Sequence, residues 1–126
     1  MANTSLFILR QELKAQILRE RGPRCELDIN RRAHDMHEVF VTRSDYPFPD
    51  RQAKIFSKYN CVLLNHTLHV EKGLTAQDKL ILGRKLIHRY GRDVIQRWIN
   101  SLELRTWGTL ENWEAKLESH ASAKAS

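Results

Sequence analysis

The chain is short of the features that would place it in several classes. It has two cysteines, Cys25 and Cys61, in 126 residues, too few for a disulfide framework. No apolar run approaches the roughly 20 residues of a membrane-spanning helix. The opening, MANTSLFILRQELKAQ, has an apolar patch but no basic region ahead of it and no small-residue cleavage site, so no signal peptide is expected. Reduced thiols and no secretion signal point to the cytoplasm, and no membrane partner is expected. Internal repeats and inter-domain linkers are also missing, and the length suits a single domain that buries its own core. Acidic residues are the minority charge: 15 against 21 Lys and Arg, a net charge of +6. That balance favours a polyanionic partner.

What is present divides the chain into three parts. In SLFILRQELKAQILRER, residues 5–21, Leu6, Leu9, Leu13, Ile17 and Leu18 share one helical face. Ser5 is a candidate N-cap, and Gly22-Pro23 is a stop signal. Residues 1–23 therefore read as an N-terminal helix. From Arg24 to Asn65 the period changes: HEVFV (37–41) and NCVLLN (60–65) suit strands. Between them SDYPFPDRQAKIFSKY holds two prolines and predicts a loop, then a short helical turn around 50–58. Thr75 with Asp78 resembles a capping box opening a helix at Ala76. Leu80, Ile81, Ile87, Val94, Ile95 and Ile99 then follow a helical period, which Gly91 either breaks or weakens. A last helix over 109–120 is capped by Thr109, and 121–126 reads as a disordered tail.

Within residues 24–73 four features line up: His37-Glu38 on the first strand, Asn60 heading the second, and His66-x-x-His69 just past it. The order strand, loop, strand, helix would bring these side chains around one cation. The stretch DMHEVFVTRSD…YNCVLLNHTLH resembles the HNH (ββα-metal) nuclease family, particularly its compact phage-type members. In that family a pair such as His-Glu on the first strand precedes an apolar and a basic residue, here Arg43, and a final His follows the central Asn by nine residues, as His69 follows Asn60. The lead-in ILRERGPRCEL is also similar. The resemblance spans about residues 17–72 and implies an α+β fold: a ββα-metal (HNH-like) centre with flanking N-terminal and C-terminal helices.

The resemblance implies a divalent-metal-dependent endonuclease hydrolysing DNA phosphodiester bonds, with RNA open to the same grip. His37 and His69 would be ligands, with Asp35 or His66 as a further candidate. Imidazole suits zinc, nickel or manganese and is less natural for magnesium. Hydrolysis needs a deprotonated water and charge stabilisation on the phosphate. Asn60, donor and acceptor at once, suits holding a loop through backbone hydrogen bonds. Arg32, Arg43, Arg51, Lys54, Lys58 and Lys72 would grip the phosphate backbone.

Two departures leave alternatives open. Glu38 stands where the family usually has a His base, and a carboxylate near its reference pKa of about 4.3 is a weak base. Residues i and i+2 share a strand face, so Asp35 and His37 can look one way while Glu38 looks the other, making His37 the base and Asp35 a ligand or orienter. The second departure is in the cysteines. Many relatives carry two C-x-x-C knuckles, but Cys25 faces Asp28 at its partner position and the second knuckle is missing, so no four-cysteine zinc site can form. Cys61 reads as a small buried hydrophobe. His34, His88 and His120 read as surface residues, and Trp98, Trp107 and Trp113 as core anchors. The competing function is a catalytically degenerate nucleic-acid-binding protein on the same scaffold, or a module that binds a nuclease or polymerase through its C-terminal helices.

Overall fold

The computed structural model describes the backbone of residues 2–43, 49–104 and 108–125, and side chains within 6–43, 52–104 and 108–122. The architecture is α+β. An N-terminal helix α1 (Ala2–Arg21) leads to two short strands, β1 (Asp35–Glu38) and β2 (Cys61–Leu64), joined through a 3-10 segment, Pro49–Ile55. A π-helical segment, Thr67–Lys72, follows, then α2 (Ala76–Tyr90), α3 (Arg92–Ser101) and α4 (Leu110–Ala125). Among the described residues no helix is long and apolar enough to cross a membrane.

The strands pair antiparallel, with Asp35 opposite Leu64, Met36 opposite Leu63, His37 opposite Val62 and Glu38 opposite Cys61. Alternation then sorts them. Met36, Cys61 and Leu63 pack on Leu13 and Ile17 of α1. Val62 and Leu64 pack on the other side, in a larger core with Leu82, Leu86, Ile95, Leu110 and Trp113 from the C-terminal helices. The apolar faces of α2, α3 and α4 thus close on the strand pair.

The first strand is shorter than its apolar run suggests, and Asn60 is the reason. Its backbone carbonyl takes Val39 N–H at 2.7 Å. Its side-chain Oδ1 then accepts from the N–H groups of Phe40 and Val41 at 2.8 and 3.0 Å, and its Nδ2 donates to the Val41 and Ile55 carbonyls at 2.8 and 3.0 Å. One amide side chain replaces a ladder partner and ties the strand exit to the 3-10 segment.

α1 begins at Ala2, so Ser5 lies inside the helix rather than capping it. Leu13 and Ile17 are buried, but Phe7, Ile8 and Leu9 are exposed, because the short strand pair meets α1 only around Leu13 and Ile17. The helix ends as expected, with Gly22 at φ +88° and its N–H on the Leu18 carbonyl. The capping box of Thr75 and Asp78 opens α2 at Ala76. Gly91, at φ +97°, ends α2 and starts α3. Ile81, expected in the core, is partly exposed. Thr109 Oγ1 accepts from Asn112 N–H at the start of α4. That helix runs on through 121–125 instead of ending at His120, since alanine and lysine are good helix formers and nothing there stops it.

A polar hub pins α1 to the strands. The Arg21 side chain, 2% exposed, pairs with Glu26 at 3.2 Å. The same guanidinium donates to the Cys61 and Lys58 carbonyls at 2.7 Å each and to the Tyr90 hydroxyl at 2.8 Å. Glu26 in turn accepts from Leu63 N–H at 2.6 Å.

Candidate metal centre

Three histidines and one carboxylate meet where β1 passes the π-helical segment. Asp35 and His37, two residues apart, flank Met36, which packs on α1, and the segment after β2 brings His66 and His69 against them. The Asp35 carboxylate oxygen Oδ2 lies 2.7 Å from His66 Nδ1 and 3.1 Å from His69 Nδ1. The His37 ring meets that of His69 edge-on, with centres 5.1 Å apart. Burial pushes Asp35 upward, but the hydrogen bonds from His69 and His66 outweigh it and hold its carboxyl below the usual value. Burial, aided by the charges of His69 and Lys79, pulls His37 down to about 4, leaving it neutral at pH 7. Neither ring nitrogen of His37 has a hydrogen-bond partner among the described residues.

Glu38 takes the opposite strand face, across from Cys61, and pairs with Arg43 at 3.3 Å. Cys61 is fully buried, and burial next to Glu38 pushes its thiol up to about 12, so it is an inert hydrophobe here. Cys25 is likewise buried and free.

The cluster borders two cavities. Asp35 and His69 line one of about 400 Å³, together with Glu38, Arg43 and, from α1, Arg10 and Lys14. His37 lines a smaller one of about 260 Å³ with Lys79, Lys116 and His120. Glu38 borders both. Arg10 and Lys14 are cations that the sequence reading passed over. They sit one helical turn apart on the polar side of α1, a placement that in sequence looks like ordinary solvation. The Arg10 Nε is buried without a partner, and its guanidinium stacks 5.5 Å from the Phe56 ring. His120, read as a surface residue, is exposed but borders the His37 cavity.

Of the residues expected to grip phosphate, Arg43 lines the larger cavity. Arg32, Lys54 and Lys72 are exposed elsewhere on the surface. Lys58 lies over the Tyr59 and Tyr90 rings, beside the Arg21 hub. The Arg51 and Trp107 side chains lie outside the described residues. Trp113 is a core anchor, and the Trp98 indole donates to the Lys54 carbonyl at 3.3 Å.

Whether this cluster suits a cation can be read from its donors. Among the described residues no group of three or more His, Cys, Asp or Glu side chains is placed to hold a metal ion. The nitrogen and oxygen donors themselves fit a zinc-, nickel- or manganese-type ion. The use of Nδ1 by both His66 and His69 on one carboxylate leaves Nε2 of each uncommitted, the pattern in which a carboxylate orients a metal-binding imidazole. Such a site would supply few protein ligands and leave positions open to a phosphate.

Compared with protein-family profiles, curated proteins and solved structures, the chain matches none.

Proposed function

We propose that the chain is a divalent-metal-dependent endonuclease of the HNH type, hydrolysing phosphodiester bonds in DNA within the cytoplasm, a host cell's if the chain is of phage origin. The observation that carries this reading is the single Asp35 oxygen shared by His66 and His69, with the unpartnered His37 ring against His69. His69 and one of its histidine neighbours would hold the ion, and Asp35 would orient them from behind. A bound divalent ion supplies Lewis-acid stabilisation of the phosphate charge.

The remaining work falls to the chain's own groups. His37, whose ring has no hydrogen bond among the described residues, would take the proton of the attacking water. With a pKa of about 4 it is no stronger a base than a free carboxylate, and its advantage is that it is neutral at pH 7 and unpaired. Glu38 is less available for this step, because it lies on the opposite strand face and its carboxylate is engaged by Arg43. Arg10, Lys14 and Arg43 line the cavity at Asp35 and His69, where phosphate oxygens would sit. Asn60 keeps the strand exit in place and touches no reacting atom.

The test is nicking of supercoiled plasmid by purified protein with EDTA, Mg²⁺, Mn²⁺, Ni²⁺ or Zn²⁺. Cleavage that requires a metal and disappears in His69→Ala and His37→Ala supports the reading. Folded protein that leaves the plasmid intact under every metal overturns it. The second reading, a binding protein that has lost its chemistry, is favoured by the incomplete ligand set and by Glu38 being tied to Arg43. It predicts DNA binding that survives EDTA and both histidine changes.

A further inference from the structure

A second basic groove lies between the chain segment after α1 and the outer face of α2. Along α2, Ile81, Arg84, Lys85, His88 and Arg89 recur at spacings of three and four and so form one stripe. Arg24 and Ile29 face them across a groove of about 870 Å³. None of its lining residues borders either cavity at the histidine cluster.

The charges in this groove are not balanced by the protein. Arg21 is neutralised by Glu26. Arg84 is neutralised by Glu118 at 2.6 Å, with Glu114 at 3.7 Å. Lys85 reaches only a neutral group, the Glu26 carbonyl, at 2.6 Å. Arg24 and Arg89 are exposed and have no carboxylate partner among the described residues. Three full cations therefore face the groove uncompensated, with His88 beside them. The groove is also partly apolar: Ile29 is 71% exposed and Ile81 37%.

We propose that this groove binds the backbone of a nucleic-acid strand, its phosphates on Arg24, Lys85 and Arg89 and its sugars and bases against Ile29 and Ile81. Cations alone would suit any polyanion. The two exposed isoleucines on the same walls favour one that carries apolar faces between its charges. The inference rests on the nucleic-acid part of the function proposed above, but it needs no cleavage, because the groove shares no residue with the histidine cluster.

Fluorescence anisotropy of labelled duplex and single-stranded oligonucleotides, in EDTA and over a salt series, tests it. Arg24→Ala combined with Arg89→Ala is expected to weaken binding about tenfold or more and to flatten the log K against log salt slope by about 2. Ile29→Ala removes no charge, so it weakens oligonucleotide binding and leaves the slope as it was. Both arginines are exposed, and a matched melting temperature confirms that the double variant folds. A parent protein that binds with affinity and slope untouched by the arginine changes overturns the groove and leaves the nucleic-acid reading standing. A parent that binds no oligonucleotide at low salt overturns both. Groove-dependent binding to anionic lipid vesicles or heparin in place of oligonucleotides overturns the proposal as well. Oligonucleotide binding that depends on the arginines, without cleavage under any metal, upholds the groove and overturns the hydrolytic reading alone.

Discussion

Asn60, in the turn just ahead of β2, and His37, on β1, flank one small sheet, and they are opposites. Asn60 is fully buried, and both ends of its amide are committed, two hydrogen bonds accepted and two donated. His37 is partly buried, and its ring has no hydrogen bond among the described residues. Its neighbours His66 and His69 crowd onto one oxygen of Asp35 and leave their far nitrogens uncommitted. Burial of a polar side chain is tolerated when its bonds are complete, and complete bonding leaves nothing for a ligand. Incomplete bonding beside a cavity is where a fold can recruit one. The contrast makes Asn60 architectural, and under the proposed function it leaves the chemistry to the histidines.

The sharpest way to break that contrast is to delete one group from each side. His69→Ala should reduce metal-dependent cleavage at least ~100-fold while the protein stays folded, because an uncommitted ligand carries function and little stability. Asp35→Asn, which keeps the shape but weakens the orienting hydrogen bonds, should lose about 10- to 100-fold in metal affinity or activity. Metal titration by isothermal calorimetry, alongside cleavage rates, separates the two effects. Asn60→Ala should do the reverse. It strands two buried N–H groups and two carbonyls, at about 1–3 kcal/mol for each group left unpaired. A loss on the order of 4 kcal/mol or more in urea unfolding is expected. An Asn60→Ala protein that melts like its parent but fails to cleave would reverse the assignment and make Asn60 a functional residue.

A smaller effect is expected where α2 meets α4. Gly83 is buried there, and a Cβ added to it would overlap the Trp113 ring. Gly83→Ala should therefore destabilise by about 1–3 kcal/mol, as overpacked cores do, despite alanine's better helix propensity. Trp113→Leu in the same chain should recover part of that loss. Calorimetric melting of the three variants is the check, and a more stable Gly83→Ala protein would mean that the two helices do not approach so closely.

Much of this framework was legible in the residues. The Gly22 and Gly91 breaks, the Thr75–Asp78 capping box and the Thr109 cap are local signals that act within a few residues, and tertiary packing had no cause to override them. The proximity of Asp35, His37 and His69 was legible through their order and spacing on a short hairpin. What escaped was non-local or ambiguous in kind. Arg21 looked like one more basic residue at a helix end, because its partners Lys58, Cys61 and Tyr90 lie 37 to 69 positions away. Arg10 and Lys14 looked like solvated helix surface for the same reason. The orientation of His37 and Glu38 was not legible, since both are polar and a four-residue strand has too little alternation to say which faces which helix. The register resolved it: Met36 and Cys61 pack on α1, so Glu38 goes with them and His37 does not.

The last expected effect concerns pH. His37 is pulled down to about 4 in the folded protein, against about 6.5 when free. The unfolded chain therefore binds a proton in the interval between those values that the folded chain does not. Stability is complete above about pH 6.5 and declines as pH falls toward 4. At pH 5 the loss amounts to about 2 kcal/mol relative to pH 7.5. Asp35 has the opposite history, a carboxyl held below its ordinary value, so its contribution fades only below about pH 4 and does not enter this window. His37→Asn removes the titrating group while keeping a polar side chain of similar reach, and should flatten the decline between pH 7.5 and 5. Urea unfolding of both proteins in EDTA, at half-unit pH steps, measures the difference. Parallel curves would mean that His37 is solvated rather than held neutral against His69, and the contrast with Asn60 would then rest on the Asp35 hydrogen bonds alone.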